Sequence, residues 1–251
     1  MLEESTKCAS AIMHSGKEYV ALMELHGDVA SDELNQVFST FTGEIYQVPP
    51  VRSSVARRPR VRVVYWIRLL ESDGRRLLLD VACSGGTYIR KLCHDIGEFL
   101  GVGAHMEELR RVRAGPFTEK DATPLIDVID AWEVYRESGD EGPLRKVVQP
   151  VETALTLIPK VYIFDSAVDA ICHGADLMVA GISKVEEGIM RGDFTAVMTL
   201  KGEVVGLGVA TMNTDEMLSA HEGMAVDVRR VVMAKSTYPP MWKGGLRHRV
   251  R

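Results

Sequence analysis

The residues able to do chemistry in this sequence are a tyrosine and an arginine beside a double glycine, with a run of arginines downstream. Tyr88 and Arg90 follow Cys83-Ser84-Gly85-Gly86-Thr87, and Leu109-Arg110-Arg111-Val112-Arg113 lies beside Gly115-Pro116. Arg90 falls in the first turn of a predicted helix, where the macrodipole disfavours a cation. A cation kept there usually answers an anion, either a carboxylate or a phosphate. The plain alternative is a surface arginine that tolerates the site. Tyr88 reads equally well as an aromatic packed on a sheet. Arg110, Arg111 and Arg113 form either a solvated basic loop or a ledge for phosphates.

These side chains need a scaffold, and the flanking pattern supplies one. Leu77–Cys83 is a short apolar run bounded by turn residues, as in a buried strand. Ser84-Gly85-Gly86 breaks the extended pattern, and Thr87 can cap the helix that follows. Ile89, Leu92, Cys93, Ile96 and Leu100 recur at helical spacing. Val61–Leu70 and Arg75–Cys83 flank Asp73-Gly74, a strong hairpin signal that delivers the chain into this turn.

Upstream, Lys17–Leu25 reads as a strand, with Tyr19 an ordinary packing residue unless context says otherwise. Ser31-Asp32-Glu33 opens a helix with acids in its first turn; Leu34, Val37, Phe38 and Phe41 mark its buried face, and Gly43 ends it. Pro49-Pro50 then holds an extended segment that cannot be a central strand. Arg52, Arg57, Arg58, Arg60 and Arg62 crowd this stretch. With the prolines keeping the backbone extended, phosphates of RNA are preferred over a solvated rim.

At 251 residues the chain can bury a sizeable core in one domain or two. Its 46% hydrophobic and 26% charged content is that of a soluble globular protein. A net charge of -5 excludes a globally basic nucleic-acid binder. Charge is uneven, however: Arg229–Arg251 holds seven Lys or Arg and no acid. Cys8, Cys83, Cys93 and Cys172 form no C-x-x-C pair, so no metal site or redox motif is expected. With no apolar run of membrane-spanning length and no signal-peptide pattern, the expected compartment is the cytoplasm.

Composition changes near Ile158-Pro159. Beyond it come short strand-like segments, Val161–Phe164, Phe194–Leu200, Val204–Met212 and Val226–Ala234, with one helix over Asp165–His173. A small mixed barrel is expected there.

The ordered string Cys83-Ser84-Gly85-Gly86-Thr87-Tyr88-Ile89-Arg90, Gly101-Val102-Gly103-Ala104-His105, Leu109-Arg110-Arg111 resembles the TruB family of RNA pseudouridine synthases. Within it the sequence is most similar to the archaeal, dyskerin-like catalytic subunit of H/ACA guide-RNA particles. Lys17-x-Tyr19 matches the family's Lys-x-Tyr motif. Gln47-Val48-Pro49-Pro50 resembles its proline segment, with Ser54 where alanine is common. Cys172-His173-Gly174-Ala175-Asp176-Leu177 and Gly206-x-Gly208-x-Ala210 resemble a PUA RNA-binding domain.

The resemblance implies an α+β fold: a mixed-sheet synthase domain over 1–157, incomplete at its N-terminus, a β-barrel PUA domain over 158–236, and a basic tail over 237–251. It implies conversion of uridine to pseudouridine in rRNA or tRNA, guided by H/ACA RNA, with small protein partners and no cofactor, metal or membrane. Tyr19, Tyr88 and Arg90 are then the base pocket. Arg52, Arg57, Arg58, Arg60, Arg110, Arg111 and Arg113 contact RNA, as do Gly174 and Ala175.

The family's nucleophilic aspartate lies in a Gly-x-Leu-Asp-Pro-like segment before the Lys-x-Tyr motif. Here the carboxylates ahead of Tyr19 are Glu3, Glu4 and Glu18, none in that context. A truncated or mis-started chain, a piece supplied by a second chain, and an RNA-binding PUA protein without catalysis all fit. A stand-alone tRNA synthase is a further alternative.

Overall fold

The computed structural model describes residues 1–49, 56 and 58–241. Arg52, Arg57, Pro50, Ser54 and most of the basic tail lie outside the described residues. The chain forms two compact units, one of Ile12–Asp127 and one joining Met1–Ala11 to Val128–Arg251.

After a 3-10 turn (Glu3–Cys8) and α1 (Ala9–His14), the first unit is organised by a six-stranded sheet. Its strands are β1 (Lys17–Leu25), β2 (Gly43–Gln47), β3 (Arg60–Asp73), β4 (Arg76–Cys83), β5 (Ala104–Ala114) and β6 (Phe117–Thr118). They lie in the order β2-β3-β4-β1-β5-β6, and each described ladder is antiparallel. Period-two alternation puts Ala21, Met23 and Leu25 of β1 and Leu77, Leu79 and Val81 of β4 on one face. Two helices cover it, α2 (Ser31–Thr40) through Leu34, Val37 and Phe38, and α3 (Ile89–Phe99) through Ile89, Leu92, Cys93 and Ile96. Each fully buried leucine contributes about 2 kcal/mol. Asp73-Gly74 makes the expected hairpin, with Asp73 opposite Arg76 and Gly74 at φ 58°.

Leu109–Arg113 is not a loop. It lies inside β5, which pairs with β1 from Lys17 to Leu25. Its charge hid the strand: Arg113 Nε donates to Glu18 Oε2 at 2.8 Å and Arg110 Nε to Glu119 Oε1 at 2.7 Å, so opposed charges do the work that β-branched residues do elsewhere.

In the second unit, α4 (Leu125–Ser138) and α5 (Gly142–Val147) precede a mixed sheet of six strands. These are β7 (Lys160–Ile163), β8 (Leu177–Met178), β9 (Ile182–Val185), β10 (Phe194–Thr199), β11 (Val204–Ala210) and β12 (Met224–Val231). The order is β8-β12-β11-β10-β7-β9, with β7 and β10 parallel and the other pairs antiparallel. With α6 (Asp165–Cys172) and α7 (Thr214–Ser219) it encloses a core of Val161, Ile163, Val168, Ile171, Leu177, Val197 and Val226. Tyr238 belongs to that core, its hydroxyl donating to Glu203 Oε2 at 2.6 Å.

The two compact units part at Asp127. Cys8 and Leu155, each 0% exposed, join Ala11, Met198, Leu207 and Val232 in a cluster of the second unit. The start of the chain and residues 128–157 thus pack with the barrel. The composition change at Ile158 marks where the strands of the second unit begin.

Candidate active site

The double glycine builds the site from the backbone up. A Cβ on Gly85 would lie 2.6 Å from the Met13 carbonyl oxygen, so only glycine lets the two backbones approach. Gly86 has φ +83°, and Arg62 Nε donates to its carbonyl at 3.1 Å. Thr87 does not cap α3; its hydroxyl donates back to the Ser84 carbonyl at 2.9 Å, and Tyr88 takes the N-cap position.

Tyr88 is positioned by Gln47, a residue whose role its sequence context did not reveal. Gln47 ends β2 and is 2% exposed. Its Oε1 accepts the Tyr88 N–H at 2.9 Å and its Nε2 donates to the Tyr88 carbonyl at 3.2 Å. Both polar ends of the buried amide are spent on one peptide, which fixes where α3 begins. Arg90 is then the second residue of α3 and is exposed. Among the described residues it has no ion pair.

Tyr19 lies at the other edge of the same turn. Its cross-strand partner is Arg111, whose positive charge faces the phenol and favours its ionised form. Burial pushes the Tyr19 hydroxyl above the usual tyrosine value, Cys83 adds to the rise, and Arg111 opposes it. Two positions earlier Lys17 is buried, and its Nζ donates to the carbonyls of Ile12, Met13 and Ser15 at 2.7, 2.8 and 2.7 Å. It ties the C-terminal end of α1 down, where a cation complements the helix dipole. Burial, with Arg111 second, pulls its ammonium below the usual lysine value.

The structure therefore brings Tyr19, Arg111, Cys83 and the turn leading to Tyr88 and Arg90 together in one unit. It separates Arg111 from its neighbours, because Arg110 and Arg113 are paired with Glu119 and Glu18. Arg58 is exposed and Arg60 half-buried opposite Gln47. In the second unit Gly174 has φ +91° just past α6, and Ala175 lines a cleft of about 180 Å³ with Ser166, Ile171, Leu177 and Met178. His173 is a helix-end histidine, its Nδ1 2.8 Å from the Asp169 carbonyl.

Comparison with known proteins fits this geometry. Residues 1–89 match the N-terminal domain of TruB family pseudouridylate synthases, 90–156 the C-terminal domain of tRNA pseudouridylate synthase B, and 159–232 the PUA domain. A probable tRNA pseudouridine synthase B of Methanopyrus kandleri is 55% identical over 96% of this chain and 71% of its own length. The chain belongs to the TruB family of pseudouridine synthases. The Methanocaldococcus jannaschii relative of the same name is 52% identical over 96% of this chain and 72% of its own. Among solved structures, a chain of a Cbf5-Nop10-Gar1 complex superposes with a TM-score of 0.90 at 53% identity, over 95% of this chain and 73% of that one. An H/ACA RNP bound to a substrate RNA containing 2'-deoxyuridine gives 0.86 at 50% identity, over 96% and 73%. As a TruB-family chain this protein is of the isomerase class, with an α+β fold and a PUA domain. No described helix is long and apolar enough to cross a membrane.

Proposed function

We propose that Tyr19, Tyr88 and Arg90 form the pocket in which this TruB-family chain handles a flipped-out uridine of rRNA or tRNA, selected by an H/ACA guide RNA. The observation that carries the reading is the pairing of Arg111 with the half-buried Tyr19 across the strands, near Cys83, where the turn to Tyr88 and Arg90 begins. The base leaves the RNA stack to enter such a pocket. In the isomerisation the C1′–N1 bond breaks, the base turns, C1′ joins C5, and the C5 proton is lost. No electrons are exchanged. Tyr19, kept protonated by burial and facing Arg111, is placed to relay that proton. Arg90 keeps the family's aspartate ionised. Guidance by RNA and assembly with small protein partners are proposed because structural neighbours come from a Cbf5-Nop10-Gar1 complex and from an H/ACA particle with substrate RNA. Arg58 and Arg60, with Arg52 and Arg57, supply phosphate contacts; Arg110, Arg111 and Arg113 extend them, Arg110 and Arg113 by exchanging carboxylate partners for phosphates. Residues 158–236 serve as the RNA-binding module through Gly174 and Ala175, and the particle works in the cytoplasm.

A second reading, RNA binding without catalysis, is favoured by one observation: residues 159–232 match the PUA domain. Reconstitution with guide RNA, partner proteins and target, followed by pseudouridine mapping, separates the two. The protein is expected to bind target RNA, and a chain that carries the family's Leu-Asp-Pro-bearing segment is expected to turn over. In that chain Tyr19→Phe should lower the rate by about a hundredfold or more. Full activity of Tyr19→Phe overturns the pocket.

A further inference from the structure

The far end of β1 carries a cluster that the isomerase reading does not use. Glu24 stands opposite His105 of β5 on one side and Arg76 of β4 on the other. A bulge pairs Leu22 with Glu108 and Met23 with Met106, so Glu107 has no partner across the ladder. Bulges re-aim side chains. One donor atom each of Glu24, His105 and Glu107 lies within 4.8 Å of the others. His26 Nε2 lies 2.9 Å from His105 Nδ1, and Arg76 Nη2 lies 3.2 Å from Glu107 Oε1.

We propose that Glu24, His105 and Glu107 bind a divalent first-row transition cation of the zinc type, with His26 as the residue that positions His105. Charge is the first argument. Two carboxylates converge; Arg76 pairs with Glu107, while Arg75, which feels the charge of Glu24, is paired with Asp28. A divalent ion between them removes the remaining repulsion. Size is the second. Donors on a tetrahedral ion with bonds of about 2.0–2.2 Å sit roughly 3.3 to 3.6 Å apart, so donors now within 4.8 Å need to close by about an ångström, which rotation of the side chains supplies. Donor chemistry is the third. Carboxylates alone suit magnesium or calcium, whereas an imidazole in the set shifts preference toward zinc and its neighbours.

The His26–His105 contact completes the site. With the shared proton on His105 Nδ1, His26 Nε2 accepts it, and His105 Nε2 is left with a free lone pair. That is the tautomer that ligates a metal, held by an outer partner as metal-bound histidines are. Arg76 orients the Glu107 carboxylate in the same way. The ligands come from the end of β1 and the start of β5, so a bound ion would clamp those strand ends together. Glu24 is half-buried while His105 and Glu107 are exposed, so an ion can reach them.

The test is calorimetric titration of the metal-stripped 251-residue chain with Zn²⁺, with thermal melts in parallel. One equivalent should bind, and Zn²⁺ should raise the melting temperature. His105→Ala should weaken binding at least a hundredfold. Glu24→Gln/Glu107→Gln should abolish it, with the metal-free melt unchanged. His26→Ala should cost about ten- to a hundredfold. Equal affinity for Zn²⁺ in wild type and His105→Ala, or competition by Mg²⁺ at equal concentration, overturns the site. If His105→Ala fails to fold, the double glutamine variant decides alone, and unchanged Zn²⁺ binding there sinks the proposal.

Discussion

The two ends of β1 handle charge in opposite ways. At its start Lys17 is buried and spends its ammonium on three backbone carbonyls, while Tyr19 is held protonated beside Arg111. At its end Glu24, His105 and Glu107 bring donor atoms within 4.8 Å of one another, and Arg76 pairs with Glu107 alone of the two carboxylates. One strand thus carries a region whose charges are satisfied by the chain itself and a region that invites an outside ion. A buried charge has to be answered during folding. An exposed cluster can wait for its ligand, because water answers it meanwhile.

Lys17→Met should break this contrast most. It leaves three carbonyls short of a donor at the end of α1 and is expected to cost about 3 kcal/mol of unfolding free energy. Glu24→Gln, at the other end of the same strand, should stay within about 0.5 kcal/mol in metal-free buffer. Urea midpoints of the two variants measured side by side check this. Equal losses would mean that the Lys17 contacts are solvated and that the two ends do not differ.

Arg110→Gln and Arg111→Gln sharpen the comparison along β5. The Arg110–Glu119 pair is exposed, and such pairs contribute about 0–1 kcal/mol, so stability should barely change. Arg111 stands opposite the half-buried Tyr19, so its loss should perturb the site. Measured RNA affinity against salt is expected to lose about one unit of slope in each variant if both touch phosphate. An unchanged slope for Arg110→Gln assigns that arginine to Glu119 alone.

Much of this fold is legible in the sequence because its signals are local. The alternation of Lys17–Leu25, the Asp73-Gly74 turn and the stripe Ile89-Leu92-Ile96 each depend on neighbours a few residues away. What was hidden depends on partners far along the chain. β5 looked like a basic loop because Glu18, which balances Arg113, lies on β1. Gln47 gave no sign that it clamps Tyr88, since a buried glutamine and an exposed one read alike in sequence. Cys8 sits in a short polar N-terminal run, and only contact with Leu155 shows that the chain's start belongs to the barrel unit. The Glu24, His105, Glu107 cluster escaped for the same reason: metal-ligand spacing is recognisable in one segment, not across two strands.

The smallest expected effect is also the most specific to the start of β1. Burial first, then Cys83, raises the Tyr19 hydroxyl above the ordinary tyrosine value of about 10, and Arg111 lowers it in part. Folding therefore favours the neutral phenol. Its contribution to stability is fully present below about pH 10 and is lost as pH rises through the folded Tyr19 value. Of the seven tyrosines, Tyr162 is also raised by burial, so two late titrations are expected in the ultraviolet absorbance of tyrosinate. Tyr19→Phe should remove one of them and leave the Tyr162 step in place. Arg111→Gln should move the Tyr19 step to still higher pH, because the cation that favours the phenolate is gone. If Arg111→Gln instead lowers that step, the guanidinium is not the group that faces the phenol, and the electrostatic account of this end of the strand fails.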